Sequence, residues 1–195
     1  MIKENILLPA SVLIDERHFT YQERMFIYFW ASRSLSHEFG FTLLQYANFR
    51  GFPLHSCSSN LRAILKRLHT RALLSFSMSK NNVFVTMNKS FKLDNSQPAI
   101  YINKNEINAL PSVIALRIFE MLSCLTMKSF SVCMPIEHFK AKIGIEPNMY
   151  ASNIAFYNRL VKPSLLSITQ STKISVQSEF EKKKENLILY VLSEA

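Results

Sequence analysis

The spacing of hydrophobic and polar positions along this 195-residue chain changes several times between a helical and a strand-like period. The order of these changes is the same in both halves. In the first half, helical spacing predicts three helices, over about residues 20–34, 41–48 and 58–70. The third is the clearest because its apolar positions, at Leu61, Ile64, Leu65 and Leu68, lie three or four residues apart. Two strand-like runs follow, joined by a polar turn at residues 79–82. Three helices and a β-hairpin predict a winged helix.

The second half repeats this order. Helices are predicted over about residues 111–125, 135–143 and 150–170, with a short strand at residues 130–134. Pro163 should kink or divide the last helix because proline removes one helical hydrogen bond. A final hairpin carries Lys182, Lys183 and Lys184 at its tip. The prediction is an α+β protein with two tandem winged-helix domains, each a helix-turn-helix plus a β-hairpin.

A more polar stretch with a turn at residues 95–98 separates the two halves. We therefore predict an N-terminal domain over residues 1–95, a linker over 96–110 and a C-terminal domain over 111–195. A short strand is expected near residues 99–102. The apolar leader at residues 6–14 favours an edge strand or a short helix, and it is a candidate edge for a homodimer.

The charge pattern indicates a partner. The chain has 23 Lys and Arg against 14 Asp and Glu, a net charge of +9. Residues 39–93 contain eight Lys or Arg and no Asp or Glu. Such a stretch concentrates positive potential on one part of the fold, as the binding of a polyanion requires. The alternative is a basic surface that only keeps the protein in solution.

Composition excludes several classes of enzyme. Three glycines do not cluster into a phosphate-binding loop, and two aspartates do not suffice for the carboxylate clusters of two-metal nucleases and polymerases. The histidines show no metal-binding spacing and no His-x-His motif. The run His55-Ser56-Cys57 has no acidic residue nearby to orient a base. We expect a non-enzyme without catalytic residues, cofactor or metal.

Segment lengths also indicate a compartment. The apolar runs are far shorter than the ~20 residues needed to span a bilayer, and the first residues do not form a secretory signal. An odd number of cysteines in apolar surroundings favours reduced thiols. We expect a cytoplasmic protein that does not bind membranes.

Three segments of the second half have a recognisable pattern. Residues 116–122 read Leu-Arg-Ile-Phe-Glu-Met-Leu, residues 139–144 read Phe-Lys-Ala-Lys-Ile-Gly, and residues 156–168 hold Arg159, Pro163 and Ile168 at characteristic spacing. With the strand at residues 130–132, they resemble the C-terminal winged helix of iteron-binding plasmid replication initiators, the double winged-helix Rep family. The resemblance covers roughly residues 112–192, and the first half is similar only in outline.

The resemblance implies sequence-specific binding of double-stranded DNA at the origin repeats of a plasmid or other mobile element. It also implies origin opening, recruitment of host helicase and initiator proteins, and a dimer that represses its own gene. In the family, one helix of each domain enters the major groove. By position, the residues concerned are Ser59, Asn60, Arg62, Ala63, Lys66 and Arg67 in the first domain, and Ser152, Asn153, Asn158, Arg159 and Lys162 in the second.

The chemistry of these residues supports the same positions. Arginine can hydrogen-bond guanine and asparagine can hydrogen-bond adenine. Lys66, Arg71 and Lys80 are better placed to contact phosphates, and the three lysines at residues 182–184 suit backbone contact by a wing. The alternative for each is an ordinary solvated helix face or turn. Arg159 has a further alternative, an ion pair with Glu120 or Glu146.

Two other functions fit the same fold. A winged-helix transcriptional repressor would share the DNA surface, and a single palindrome over a promoter would distinguish it from an initiator with repeated sites beside an AT-rich stretch. A phage or element protein-binding module would have kept the fold and lost DNA binding. Its sign would be weak DNA affinity with little salt dependence.

Overall fold

In the computed structural model of this chain, the described residues are 5–9, 19–33, 36–88, 99–125, 129–146, 149–150 and 152–193. Their contacts form two compact units, which meet in the sequence between Asn108 and Ala109. Both units combine helices with antiparallel strands, so the predicted mixture of helix and sheet is confirmed.

The first unit contains a three-stranded sheet of order β2-β4-β3 and a two-stranded sheet of β1 and β5. In chain order its elements are β1 (Asn5–Pro9), α1 (Tyr21–Ala31), β2 (Glu38–Thr42), α2 (Leu43–Arg50), α3 (Leu54–Thr70), β3 (Leu74–Ser79), β4 (Asn82–Met87), β5 (Ala99–Asn103) and α4 (Lys104–Ala109).

The second unit contains a three-stranded sheet of order β6-β8-β7. Its elements are α5 (Val113–Cys124), β6 (Ser129–Pro135), α6 (Ile136–Lys142), α7 (Asn153–Phe156), a π-helical turn (Tyr157–Val161), α8 (Lys162–Ser171), β7 (Ile174–Glu181) and β8 (Asn186–Ser193). Each unit thus has a helix, a strand, further helices and a hairpin, and the strand after the first helix pairs with the second strand of the hairpin.

Helix α1 begins at the predicted capping box. Thr20 Oγ1 accepts a hydrogen bond from the Glu23 amide over 3.3 Å, and Glu23 Oε2 accepts one from the Thr20 amide over 2.8 Å. These bonds satisfy two amides that the first turn would otherwise leave without partners. The helix is buried from Glu23 onward, and Phe29 is packed edge-to-face against aromatic rings of β2 and α2.

The predicted second helix is wrong at its start. Phe41 and Thr42 are the last residues of β2, which pairs with β4, and α2 begins at Leu43. Thr42 and Gln45 form a second capping box, with the Gln45 amide donating to Thr42 Oγ1 over 3.2 Å. The sequence contains both signals, an alternation of residue types over 38–42 and a Thr-x-x-Gln pattern.

The predicted start of the third helix is also wrong. Helix α3 begins at Leu54, four residues before Ser58, with Pro53 as its N-cap. Proline suits a helix start because its φ, here −60°, is fixed near the helical value. Its missing N–H also costs nothing there, since no helical hydrogen bond would use it. The extra turn adds Cys57 to the predicted stripe of Leu61, Ile64, Leu65 and Leu68, all of which are buried as predicted.

Much of the stretch predicted as a linker is folded. Residues 96–98 lie outside the described residues, but β5 pairs with β1, and Ile6 lies opposite Ile102, both fully buried. Asn108 Nδ2 donates to the backbone oxygen of Phe49 over 2.8 Å, which anchors α4 to the first unit. The expected strand near residues 99–102 and an edge strand in the leader are therefore present. Residues 10–14 of that leader lie outside the described residues.

Pro163 does not divide the helix of the second unit. Helices α7 and α8 are continuous through the π-helical turn that precedes the proline, and Lys162 keeps right-handed helical angles. The Lys162 amide donates to the Tyr157 oxygen, five residues back. A wider turn relieves the clash of a proline ring with the carbonyl four residues before it, so the helix absorbs the proline as a π-bulge.

Across the described ranges, no helix is both long enough and apolar enough to cross a membrane.

Candidate nucleic-acid interface

The outer face of α3 is formed by the residues opposite its buried stripe. At 100° per residue, Ser59, Arg62, Ala63 and Lys66 fall on one side, and all four are exposed. Asn60 is exposed on the flank of this stripe. The first unit therefore presents an arginine and a lysine four residues apart, with the small side chains of Ser59 and Ala63 beside them. A helix with this face can approach a groove of DNA closely.

Arg67 and Arg71 have an internal partner. Arg67 Nε donates to Glu23 Oε1 over 3.1 Å, and Arg71 Nη1 donates to Glu23 Oε2 over 3.3 Å. The Glu23 side chain is only 2% exposed. The Arg71 guanidinium also lies 4.7 Å from the centre of the Phe19 ring. Both arginines thus hold the C-terminal end of α3 against α1, and Glu23 offsets part of the charge that the sequence assigned to DNA.

Lys80 lies at the tip of the β3–β4 hairpin. The two strands are joined by Lys80 and Asn81 alone, and Lys80 has a left-handed φ of +49°. Its side chain is exposed, in a position where a wing can contact the DNA backbone.

Replacing Lys80 with glycine relieves the left-handed backbone and removes the positive charge. Stability and DNA affinity, measured separately, report the two effects. Glycine has no Cβ to clash in the left-handed region, so we expect the midpoint of urea unfolding to rise by the equivalent of about 0.5–1 kcal/mol. If Lys80 contacts a phosphate as predicted, DNA affinity should fall equally on all sequences. Lys80→Asn is the matched control, since asparagine tolerates the same φ and also removes the charge. A loss confined to one DNA sequence would contradict backbone contact.

In the second unit, three of the predicted residues are exposed on one stretch of helix. Asn158, Arg159 and Lys162 lie on the π-helical turn and at the start of α8. The described part of the chain supplies no ion-pair partner for Arg159, whereas Glu120 is buried inside the unit. These three side chains point to solvent and are free to reach a ligand.

Ser152 and Asn153 are instead engaged within the second unit. Ser152 caps α7 by accepting from the Ala155 amide over 3.4 Å. Asn153 Oδ1 accepts from Lys140 Nζ over 2.6 Å, and the same ammonium donates to Glu137 over 2.8 Å. Lys140 is 1% exposed and lies over the Phe156 ring. Through these contacts α6 holds the start of the helix that carries Arg159.

Asn153→Ala tests this internal role. It should lower the free energy of unfolding by about 1–2 kcal/mol, because Lys140 would lose one acceptor while remaining buried. Asn153→Asp should retain most of the stability, since a carboxylate also accepts from the ammonium. Urea unfolding of both variants gives the comparison. An Asn153→Ala protein with unchanged stability and altered base preference would show that Asn153 reads DNA.

The lysines of the second hairpin are exposed in the turn between β7 and β8. Lys184 Nζ lies 3.1 Å from Glu181 Oε1, and this surface ion pair contributes little to the stability of the fold. Lys182 lines a surface cavity of about 440 Å³ together with Lys140, Glu137 and Glu185. Because two ammonium groups and two carboxylates meet there, this cavity has no net charge to attract a phosphate.

Two of the cysteine thiols have surroundings that disfavour the thiolate form. Cys57 is buried, and burial raises the pKa of its thiol, whereas a nucleophile needs a lowered one. Burial and the nearby Glu120 raise the pKa of Cys124 to about 11. No three His, Cys, Asp or Glu side chains of the described residues come together where they could hold a metal ion.

Comparison with known proteins gives a match in structure but none in sequence. No protein-family model matches the sequence, and no curated protein matches it. Among solved structures, the chain is similar to the crystal structure of Pi initiator protein in complex with iteron DNA, with a TM-score of 0.78 and 10% sequence identity. The match covers 100% of this chain and 99% of the other. The chain has the fold of an iteron-binding initiator. The resemblance to Rep initiators is thereby confirmed for the fold.

Sequence reasoning missed the first turn of α3. Leu54, His55 and Ser56 are exposed there, one turn before the residues that were predicted as its start. Pro53 was the available signal, since proline is frequent at helix starts and the apolar spacing continues back to Cys57.

Proposed function

We propose that this protein is a sequence-specific DNA-binding replication initiator of a plasmid or other mobile element. Each unit would act as a winged helix on double-stranded DNA. The observation that carries the proposal is the likeness over the full chain to Pi initiator protein, whose structure was solved with iteron DNA. The exposed basic face of α3, in a stretch without acidic residues, supports it independently.

In this proposal, helix α3 enters the major groove of one half of an origin repeat. Arg62 reads a base edge, Lys66 contacts phosphate, and Lys80 contacts the backbone from the hairpin tip. In the second unit, Asn158, Arg159 and Lys162 contact the other half, and the lysines at 182–184 reach the backbone. Arg67, Arg71, Ser152 and Asn153 then act by positioning these elements.

The proposal extends to the later steps of initiation. Binding to several repeats would promote opening of an adjacent AT-rich segment and recruit host helicase and initiator proteins. A homodimer would repress the gene of the protein itself. These steps depend on DNA binding, which is therefore the property to test first.

The test is a selection of fragments from the source genome by the purified full chain at about 150 mM salt, where non-specific binding is weak. Enrichment of one locus with tandem repeats beside an AT-rich stretch supports the initiator. Enrichment of a lone promoter palindrome supports a repressor instead. A double variant, Arg62→Ala with Lys66→Ala, is the control and should enrich nothing. Absence of enrichment by the natural chain would contradict the proposal.

A further inference from the structure

Helix α3 begins without a side-chain cap. Its N-cap is Pro53, which has no polar side chain, and no side-chain hydrogen bond closes the first turn. The Ser56 amide donates to the Pro53 oxygen over 3.2 Å, and no described residue accepts from the amides of Leu54 and His55. The helix is 17 residues long, and its first residues are exposed. The positive end of the helix dipole therefore faces solvent unopposed.

A second, independent feature lies beside this turn. Arg50, the last residue of α2, is 4% exposed, and its Nε and Nη1 atoms are buried without a hydrogen-bond partner in the part of the chain that the structure describes. Its guanidinium lies 4.8 Å from the centre of the Phe52 ring and 5.4 Å from that of Tyr21. Phe52 directly precedes the N-cap. The arginine is thus held beside the start of α3 by two aromatic rings.

The electrostatic effect of Arg50 reaches the first turn of α3. Burial raises the pKa of the Cys57 thiol, and the guanidinium opposes that rise. Burial likewise raises the pKa of Tyr46, and Arg50 again acts in the opposite direction. Cys57 is the fourth residue of α3. The positive charge of Arg50 and the positive end of the helix dipole therefore both act at the start of this helix.

An arginine in this state is unfavourable for the free protein. A buried charge without an acidic partner loses its hydration, and contacts with aromatic faces recover only part of that loss. An anion bound beside it would supply the missing compensation. The uncapped amides of α3 are suited to bind such an anion, because helix N-termini bind phosphate groups.

We propose that the first turn of α3, with Arg50 beside it, holds one phosphate group of the DNA backbone. The inference rests on the proposed function and names a contact that fixes α3 on the duplex. The amides of Leu54 and His55 donate to the phosphate oxygens. Arg50 is a positioning residue that adds positive charge beside this turn.

The first test compares Arg50→Met with Arg50→Lys on the selected DNA site. Loss of the cation that neutralises one phosphate should reduce the slope of log affinity against log salt by about 0.9 for Arg50→Met, and Arg50→Lys should keep the slope. Affinity at moderate salt should fall roughly tenfold for Arg50→Met, because the amides still bind the phosphate and only the positive charge beside it is lost. The melting temperature should stay equal or rise, because the buried charge is gone. An unchanged slope with a lowered melting temperature would overturn the proposal and make Arg50 purely structural.

A second pair of variants does not depend on removing Arg50. Pro53→Asp places a carboxylate on the free amides, whereas Pro53→Asn provides a neutral cap of the same shape. Pro53→Asp should raise the melting temperature and weaken DNA binding more than Pro53→Asn does, because its carboxylate occupies the phosphate position. Equal DNA affinity in the two variants would overturn the inference.

Neutral phosphate analogues identify the contact on the DNA. Methylphosphonate placed at single positions of the site should weaken binding of the natural chain at several phosphates, and at one of them it should weaken Arg50→Met markedly less. If no position shows this difference, the inference fails. Thermal unfolding in the presence of sulfate tests whether the site binds a free oxyanion. If sulfate stabilises the natural chain and not Arg50→Met, while both have the same slope of log DNA affinity against log salt, the assignment to DNA is overturned.

The two proposals can fail separately. If the natural chain selects no DNA, the proposed function fails, and the phosphate contact fails with it. If the natural chain binds its site and Arg50→Met binds it with the same salt slope, only the phosphate contact fails.

Discussion

Glu23→Ala should lower the free energy of unfolding by about 2–4 kcal/mol, because it removes a buried carboxylate that several donors share. Glu23 accepts from the Thr20 amide, from Arg67 and from Arg71, and is itself 2% exposed. After the substitution, α1 loses half of its capping box and the end of α3 loses its attachment to α1. The two arginines are partly exposed and can turn to water, which keeps the effect below that of a fully buried pair. Urea unfolding of the full chain measures it.

Glu23→Gln is the matched control. Glutamine also completes a capping box, so this variant keeps the helix start and loses only the charge. We expect about half of the alanine effect. Both variants should bind non-specific duplex DNA more tightly than the natural chain, since Arg67 and Arg71 no longer have an acidic partner. Unchanged stability in both variants would contradict the role assigned to Glu23.

Arg62→Ala should weaken binding to the selected site by about 1–3 kcal/mol and relax the preference at one base pair, as expected when a base contact is lost. Arg62 is exposed at the centre of the outer face of α3 and has no competing partner among the described residues. Folding stability should change little, because the side chain packs against nothing in the core. Binding curves on the site and on its single-base variants measure both effects.

Lys66→Ala is the matched control on the same face. It should weaken all sequences alike and reduce the salt slope by about 0.9, as expected for a phosphate contact. If Arg62→Ala weakened every sequence equally, Arg62 would be a phosphate contact as well.

Arg159→Ala should weaken binding to one half of the repeat only. An unfolded Arg159→Ala protein would show that Arg159 is structural.

Local signals predicted the elements well where they act over a few residues. The Thr20 capping box, the Ser112 cap of α5 and the buried stripe of α3 follow from residue types three or four apart. Such contacts form whenever the helix forms, so the sequence alone is sufficient to predict them. The same rules applied to Thr42 and Pro53 would have found the true starts of α2 and α3.

The roles of the charged residues were harder to predict because their partners are distant in the sequence. Arg67 meets Glu23 across 44 positions, and Lys140 meets Asn153 across 13. No periodicity reports such a pair, and one member of each pair, Arg67 and Asn153, was predicted to contact DNA. For β2 the sequence gives only a short alternation of residue types over 38–42, and the pairing with β4 makes these residues a strand.

The sequence by itself determined the order of helices and hairpins in both halves, the outward face of α3 and the basic character of the first half. These depend on local hydrogen bonds and on which side of a helix is apolar. Only the tertiary structure decided which cations remain available for a ligand. It pairs Arg67 and Arg71 with a buried glutamate, buries Arg50 between two rings and leaves Arg62 and Lys66 in solvent. The physical reason is that the state of a charge depends on its burial and its neighbours, which only the folded chain brings together.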